Sequence, residues 1–425
     1  MAAGEDRPPL APGPDGEPRL PLAPEPAPES VAESVAEPAP ELQREHRLPL
    51  RFVGSGSEYF RIWIVNLLLT LVTLGLYYPF AKVRRLRYFH GATEVGGHPL
   101  SFHADPWKML RGYLLVVLLF AAYGGAGQVS PVAGVVAFCI IAALWPALWH
   151  SSLRFRLANT GWRGLRLHFT GTRGGAYRAL APGFVLALLL VASTAMLPTE
   201  APLPGEPAPE LGPGFWLVAL LPVLMLAATP ALLWLMRRYQ QGHLALGAEQ
   251  TRFEVGVGRF YGLGLRVLGL ALGAAFLAGV LAVLFSIGGS RGSGSAEAPG
   301  LRDMLLTLVP VLMIFVVYQA AIGPYVISRL QNLVWNGTRS AHLHFDSSLR
   351  FRPLAALSLR NWLLILVTLG LYFPFAAVAT ARLRLQAVTL LSQLHPDTLF
   401  SRTERVSESA AGDAAADIAG IDLGL

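Results

Sequence analysis

Two copies of one motif hold the residues whose types could do chemistry inside a membrane. The first reads NLLLTLVTLGLYYPFAKVRRLRYF over residues 66–89, and the second reads NWLLILVTLGLYFPFAAVATARLR over residues 361–384. Each opens with an asparagine, which can hydrogen bond across helices or line a path, and each has a glycine with a proline four residues later. A proline removes a backbone donor and kinks a helix. The candidate helix-break or path-lining residues are therefore Asn66, Gly75, Pro79, Asn361, Gly370 and Pro374.

Helix breaks of this kind have two interpretations. Transporters build substrate sites from discontinuous helices in paired halves of the chain, which would make the two motifs parts of a transport path. Prolines also kink membrane helices that transport nothing, and the motif is then structural. The sequence leaves both interpretations open.

A basic cluster follows the proline in the first copy, and the second copy keeps only its last member, as Arg382. Basic residues beside an apolar segment attract anionic lipid headgroups, by about 1 kcal/mol for each charge near the surface. The cluster is thus a candidate contact for anionic phospholipid, and an orientation signal is the alternative. Its members are Lys82, Arg84, Arg85 and Arg87.

Other patterns favour neither a metal site nor an enzyme. Two close histidine pairs occur, His98 with His103 and His342 with His344, but the single cysteine and few nearby carboxylates cannot complete a zinc shell. The glycine-rich segments lack the GxxxxGK[ST] and GxGxxG patterns of nucleotide sites. No basic folded surface or RNA-binding motif is evident. We therefore expect no enzymatic activity, no cofactor, no metal and no nucleic-acid partner.

Long apolar blocks must position these residues. Hydrophobic residues make up 53% of the chain and charged residues 14%, against about 25% charged residues in soluble domains. A block of roughly 18 apolar residues can cross a hydrocarbon layer about 30 Å thick. The sequence therefore predicts an all-α polytopic transmembrane bundle of about eight helices that contacts the lipid bilayer. The blocks lie at about residues 62–80, 113–127, 129–149, 180–197, 215–236, 261–287, 304–327 and 362–381.

Positive charge alternates between the links, and the positive-inside rule places the basic links in the cytoplasm. Blocks 62–80 and 362–381 have lengths that suit one crossing each, so we expect them to span fully, with both tails outside. The alternative is that each block dips into the membrane and returns at its Gly-Pro break. Irregular backbone at membrane depth must then be buried in protein or line a cavity.

A fainter repeat marks the links. Five times a phenylalanine stands in an alternating run, followed by small or polar residues and then an aromatic residue and an arginine. Alternation predicts short extended connectors, which could pair into a small cytoplasmic sheet that satisfies their backbone groups. The first copy precedes block one and fits the re-entrant alternative better than full crossing. The phenylalanines are Phe52, Phe102, Phe169, Phe253 and Phe345.

Composition divides the chain into three parts. Residues 1–46 are rich in Pro, Ala and Glu, and residues 401–425 are rich in Ala, Asp and Glu, so both are predicted to be disordered tails. Residues 47–400 form the polytopic membrane domain with its repeated motifs near 66–89 and 361–384.

The stretch GSGSEYFRIWIVNLLLTLVTLGLYYPFAKVRRLRYF at residues 54–89 resembles the YjgN family of bacterial inner-membrane proteins. The resemblance covers about residues 50–400, implies a multi-pass protein of the bacterial inner membrane, and supplies no catalytic residues. A transporter or channel for an unidentified solute and a non-transporting scaffold or lipid-binding protein both remain candidates. The block interiors contain no Asp or Glu, which disfavours proton-coupled transport through a buried carboxylate. The oligomeric state is open, with a homo-oligomer among the options.

Overall fold

The computed structural model describes residues 45–194, 196, 212–247, 249–289 and 315–393. The predicted C-terminal tail, 401–425, lies outside the described residues. The same holds for the predicted N-terminal tail, 1–46, except for Glu45 and His46, and His46 is already the first residue of a strand.

Eleven strands occur in the described part of the chain. They are β1 (His46–Phe52), β2 (Thr93–Val95), β3 (His98–Phe102), β4 (Thr160–Trp162), β5 (Leu165–Phe169), β6 (Leu244–Leu246), β7 (Glu249–Gln250), β8 (Arg252–Phe253), β9 (Thr338–Arg339), β10 (Leu343–Ser347) and β11 (Val388–Ser392).

Ten α-helices lie between these strands, counted over the same described residues. They are α1 (Gly56–Val72), α2 (Tyr78–Gly91), α3 (Pro106–Val129), α4 (Pro131–Ala158), α5 (Arg173–Thr194), α6 (Pro213–Gln241), α7 (Val257–Gly289), α8 (Gly323–Asn336), α9 (Phe351–Val367) and α10 (Phe373–Gln386). A π-helical turn, Tyr318–Ile322, precedes α8. The unit of strand, outgoing helix, return helix and strand thus occurs five times.

The strands form one antiparallel sheet in the order β7-β6-β5-β4-β3-β2-β1-β11-β10-β9-β8. Its two ends, β7 and β8, are joined by the single residue Thr251, so the sheet is nearly closed. The first and last strands pair, with Leu48 opposite Leu390. This architecture contradicts the predicted all-α bundle of eight helices. The sequence gives little sign of the sheet because each strand is short. Most strands also pair with a strand that comes tens of residues later, after two helices.

The five-fold phenylalanine repeat corresponds to β1, β3, β5, β8 and β10. Each of these strands pairs with the strand that returns from its own two helices, as in Phe52 opposite Thr93 and Phe253 opposite Thr338. The sheet expected from the repeat is therefore present, but its members pair through the return strands and not directly with one another.

An apolar core fills the middle of the sheet. Side chains from five strands pack in one buried cluster, and the indole Nε1 of Trp162 donates a 3.2 Å hydrogen bond to the Val95 carbonyl within it. No charged residue belongs to this cluster. We call it the sheet core; its buried members are Leu50, Val95, Trp162, Leu343, Val388 and Leu390.

Each copy of the repeated motif is a pair of short helices. Between α1 and α2 the chain reverses at Leu74 and Gly75, which have φ values of 50° and 91°. The Thr73 hydroxyl accepts a 2.9 Å hydrogen bond from the Tyr77 N–H and so starts the return helix. Pro79 stands in the first turn of α2, where its missing N–H costs no hydrogen bond.

The chain then returns to the strand that it left, because the Val53 N–H donates a 2.9 Å hydrogen bond to the Ala92 carbonyl. The second copy repeats this geometry, with φ values of 49° and 93° at Leu369 and Gly370. The expectation of one straight crossing helix in each of blocks 62–80 and 362–381 is therefore not met, because the chain reverses inside each block and comes back to the sheet, as in the re-entrant alternative. Two consecutive residues with positive φ reverse the chain at a point where hydropathy alone predicts one continuous apolar block.

Most of the remaining described helices are longer, whereas α8 has 14 residues. Five helices, α3 to α7, have 22 to 33 residues and are long and apolar enough to cross a membrane. Each described helix packs against the next one, and α10 packs against α1. The ten described helices thus form a closed ring, and all of them join the sheet at the same end of its strands.

Candidate functional site: a basic layer inside the helix ring

Four basic side chains from four of the five helix pairs lie close to one another in two pairs, Lys82 with Arg156 and Arg237 with Arg384. Each lies on a return helix, and three of them lie in the last two turns before the sheet. We call them the inner basic layer; its members are Lys82 of α2, Arg156 of α4, Arg237 of α6 and Arg384 of α10.

The charges of this layer interact across the ring. Arg156 and Lys82 are close enough to repel each other, and so are Arg237 and Arg384. The helices α6 and α10 are not neighbours in the ring, so the second pair reaches across its interior. Lys82, Arg156 and Arg384 are exposed although other helices surround them. Their side chains therefore project into open space and not into packed protein.

A cavity of about 350 Å³ lies beside Arg156, close to the lower limit of about 300 Å³ for ligand pockets. Its walls come from α2, α4 and α6, which confirms that these helices face a common space. Below, it ends on strand residues of the sheet. Its polar lining consists of His90, Arg156, Thr160, Gln240 and Gln241.

Glutamine side-chain amides hydrogen bond two of the arginines in the layer. The Gln331 side-chain oxygen accepts a 2.8 Å hydrogen bond from Arg384 Nε, and the Gln331 amide nitrogen donates at 2.9 Å to the Arg384 carbonyl. Arg237 Nη1 donates at 3.0 Å to the Gln240 side-chain oxygen, whereas its Nε is buried and has no hydrogen-bond partner among the described residues. Among the described residues, no carboxylate forms an ion pair with any member of the layer. Uncompensated positive charge near the membrane is costly, so the layer has the capacity to bind an anion.

A second cavity, of about 260 Å³, lies further from the sheet between α2, α3 and α4. Lys82 is the only charged residue among the described residues of its wall, and the rest of that wall is mainly aromatic and aliphatic. Pro79 and Lys82 on α2 line this cavity, while Leu86 and His90 on the same helix face line the lower one. The two cavities therefore follow one another along the interior. We call the upper one the aromatic cavity; Tyr78, Tyr113, Trp145 and Trp149 line it.

The structure places the two motif asparagines inside their own helix pairs. Asn66 and Asn361 are only 6% and 4% exposed, and the Oδ1 atom of each has no hydrogen-bond partner among the described residues. Asn361 Nδ2 donates at 3.3 Å to the Thr380 hydroxyl, which joins α9 to α10. Neither asparagine lines the two inner cavities.

The other motif residues have separate positions. Gly75 and Gly370 lie in the turns at the tips of the short pairs, Pro374 is buried, and Pro79 is part of the aromatic cavity wall. The two copies touch through α1 and α10, where the ring centroids of Phe60 and Phe375 are 5.7 Å apart. Of the six candidate residues, only Pro79 lines one of the two inner cavities, so a shared path through both copies stays a prediction.

The basic cluster of the first motif is divided among different sides of α2. Lys82 faces the aromatic cavity, while Arg84 and Arg85 each lie 5.7 Å from the centroid of an aromatic ring, Tyr77 and Phe89 respectively. Arg87 Nη2 donates a 3.1 Å hydrogen bond to the Ala104 carbonyl. Lys82 is thus the only one of the four that belongs to the inner basic layer.

Sequence reasoning missed Arg156, Arg237 and Arg384, because the basic links were treated only as orientation signals and Arg384 was not singled out. A local signal does exist: each belongs to a close arginine pair near the end of a return helix, as in Arg154 with Arg156 and Arg382 with Arg384. Arg382 bonds a neighbouring loop while Arg384 turns to Gln331. The spacing alone does not say which member faces inward.

Comparison with known proteins agrees with this architecture of apolar helices. The Inner membrane protein YjgN of Salmonella typhimurium is 30% identical over 147 residues, which is 34% of this chain and 36% of the relative. The Escherichia coli protein of the same name is 29% identical over 159 residues, 35% of this chain and 39% of the relative. The aligned part thus spans less than two fifths of these curated relatives. No solved structure matches the chain.

These relatives confirm the resemblance to the YjgN family, and with the five long apolar helices they identify a multi-pass protein of the bacterial inner membrane. The family described as "Bacterial protein of unknown function (DUF898)" matches residues 47–418, and this chain belongs to it.

Proposed function

We propose that the protein binds an anionic ligand, of the phosphate type, at the inner basic layer. The observation that carries this proposal is that basic side chains from four helix pairs lie close together two by two, with no carboxylate partner among the described residues. Like charges held close together repel one another, and an anion between them would relieve that repulsion. Guanidinium groups match the geometry of phosphate with two parallel hydrogen bonds.

We further propose that this role is not enzymatic. Arginine and glutamine side chains supply most of the polar groups in the layer and its cavity. Guanidinium and amide groups donate hydrogen bonds to anions but do not exchange protons near neutral pH. They suit the binding of an anion better than general acid or base catalysis.

Transport of an anionic solute is a second candidate, and the closed ring of helices around the layer supports it. The sheet core lies beneath the layer, however, and contains Trp162 and other buried apolar side chains. A solute could reach the far side of the sheet only if that core opened. Binding needs no such opening, so we place a lipid-binding or other non-transporting role before transport.

Thermal unfolding of the detergent-solubilised full chain tests the proposal. We expect sodium phosphate to raise the unfolding temperature above that in sodium chloride of equal ionic strength, because a ligand at 100 times its Kd stabilises by about 2.7 kcal/mol. The Arg156→Gln and Arg384→Gln variants should lose most of this gain. Arg166→Gln is the matched control, since Arg166 is exposed on β5 and lines neither inner cavity.

Two results would count against binding at the layer. One is an unaltered chain that phosphate does not stabilise beyond chloride. The other is an equal phosphate effect in the layer variants and in Arg166→Gln, which would indicate a general salt effect on the protein surface.

A further inference from the structure

On one side of the ring, the two short helix pairs extend less far from the sheet than α3 to α7 do, and we call this the low side. They are neighbours, because α1 packs against α10. Their helices have 17 and 14 residues, which gives lengths of about 21 to 26 Å at about 1.5 Å per residue. That is less than the hydrocarbon thickness of about 30 Å. The helices α3 to α7 all exceed it.

In the described part of the chain, the tips of the short pairs are exposed. Leu74 and Leu369 are each 93% exposed. Apolar side chains at membrane depth face acyl chains at no cost, so these tips end within the bilayer. With tips this low, the described part of the ring has an opening above Leu74 and Leu369 through which a lipid could enter.

The aromatic cavity begins directly below this opening. A Cβ atom placed on Gly75 at the tip would lie 3.5 Å from the Tyr113 hydroxyl, and the rings of Tyr113 and Tyr78 have centroids 5.6 Å apart. Both tyrosines line the cavity, and Lys82 supplies positive charge to the same wall. A path from the lipid at the tips therefore passes first over apolar and aromatic surface and then meets positive charge.

The depth of the positive charge also fits a lipid. Arg156 stands two residues before the end of α4, where the chain leaves the helix for the sheet. That level corresponds to the headgroup region of the leaflet nearest the sheet. An anionic lipid of that leaflet could thus reach the layer without being turned over.

We propose that the ligand of the inner basic layer is an anionic membrane lipid that enters over the tips of the two short helix pairs. Its acyl chain occupies the aromatic cavity, and its headgroup phosphate binds Lys82 and Arg156. This inference rests on the proposed function and names the chemical class of the ligand. A free anion of the same charge would make no favourable contact with the apolar cavity and would not need to enter over the low side of the ring.

Lipid retention by the full chain tests the headgroup contact. The purified protein is equilibrated with mixed micelles that contain phosphatidylglycerol or phosphatidylcholine at equal mole fraction, and bound lipid is counted by native mass spectrometry. We expect preferential retention of phosphatidylglycerol, reduced about fivefold for each charge removed in Lys82→Gln and Arg156→Gln. Arg166→Gln should retain as much as the unaltered chain, and a loss equal to that of the layer variants would overturn the inference.

A matched pair of substitutions tests the acyl-chain contact. Val116 lines the aromatic cavity, whereas Val117, the next residue on α3, is 44% exposed and lies outside it. Val116→Trp should fill the cavity and abolish the preference for phosphatidylglycerol, while the stabilisation by inorganic phosphate persists. Val117→Trp should change neither quantity. Unchanged retention in Val116→Trp would overturn the lipid assignment and leave phosphate binding standing.

A measurement on the unaltered chain covers the case in which Val116→Trp does not fold. Trp145 and Trp149 line the cavity, so phosphatidylglycerol with brominated acyl chains should quench tryptophan fluorescence more than brominated phosphatidylcholine at the same mole fraction. Equal quenching together with phosphate stabilisation would overturn the lipid inference alone. Equal quenching without any phosphate effect would overturn the proposed function as well.

Discussion

Arg382 Nη2 donates a 2.8 Å hydrogen bond to the carbonyl of Gly54, across 328 positions of sequence. The bond joins α10 to the loop that follows β1, and so links the last helix of the ring to the first helical unit. The same relation recurs between other consecutive units with different donors. The further bonds run from Arg87 to Ala104 at 3.1 Å, from Trp234 to Val255 at 2.7 Å and from Asn332 to Leu349 at 3.0 Å.

Loss of this contact should loosen the ring. We expect Arg382→Gln to lower the free energy of unfolding by about 1–2 kcal/mol, the lower part of the range for hydrogen bonds to charged groups, because Arg382 is exposed. Chemical unfolding of the purified chain measures it. Arg360→Gln is the control, because Arg360 lies in the same groove between α9 and α10 without a hydrogen bond to any described residue. Equal effects of the two substitutions would contradict a specific role for the contact.

The tips of the two short pairs should depend on glycine for backbone reasons alone. Gly75 and Gly370 have φ values of 91° and 93°, and a left-handed conformation costs an L-residue about 1–2 kcal/mol. An added Cβ would meet only the Tyr113 hydroxyl at 3.5 Å in the first case and nothing within 4 Å in the second. Gly75→Ala and Gly370→Ala should therefore destabilise by this amount and by similar degrees.

Gly269→Ala on α7 is the control for these two substitutions. Gly269 is helical and its Cβ would also meet nothing within 4 Å, so alanine should stabilise by about 0.5–1 kcal/mol. A stabilising effect at all three positions would show that the tips do not need positive φ.

Topology can be tested at two residues that face each other in the sheet. Arg51 and Glu94 are register partners of β1 and β2, so both must lie on one side of the membrane, which the positive-inside rule predicts to be the cytoplasm. In a Cys139→Ser background, Arg51→Cys and Glu94→Cys should react with an impermeant maleimide from the same side. Gln128→Cys, at the far end of α3, should react from the opposite side. Labelling of Arg51→Cys and Glu94→Cys from opposite sides would restore the full crossing of block 62–80.

The closure of the sheet should respond to acid through Glu249. Its carboxylate, 14% exposed, accepts a 2.7 Å hydrogen bond from His342 Nδ1 and a further one from the Ser340 hydroxyl. Burial raises the pKa of Glu249, but these hydrogen bonds and the His342 charge outweigh burial, so the pKa lies below its ordinary value of 4.5. The folded chain thus holds this proton less tightly than the unfolded chain. The resulting stability is present above pH 4.5 and is lost as the pH falls toward the folded-state pKa.

Thermal unfolding as a function of pH measures this contribution. Glu249→Gln should flatten the part of the acid profile below the ordinary glutamate pKa, and Ser340→Ala should have a smaller effect in the same direction because it removes one of the hydrogen bonds. An identical acid profile in Glu249→Gln and the unaltered chain would show that this contact does not contribute.

The amino-acid sequence by itself determined that the chain lies in the membrane and where its local units begin. Apolar runs, the two motif copies and the five phenylalanines at Phe52, Phe102, Phe169, Phe253 and Phe345 are visible because hydropathy and alternation act over a few neighbouring residues. They were sufficient to predict long helices and short extended connectors, but the sheet was only one option and the all-α fold class was wrong.

Only the tertiary structure decided which way the chain turns at Leu74 and which arginines face inward. A helical turn and a left-handed reversal differ by two backbone angles, and the apolar composition around Leu74 suits either one in lipid. Arg384 lies inside the ring because α8 and α6 stand opposite α10, and those helices are fixed by strand pairs far away in sequence. The direction of a side chain in a closed ring is set by all members of the ring together, so no local pattern can contain it.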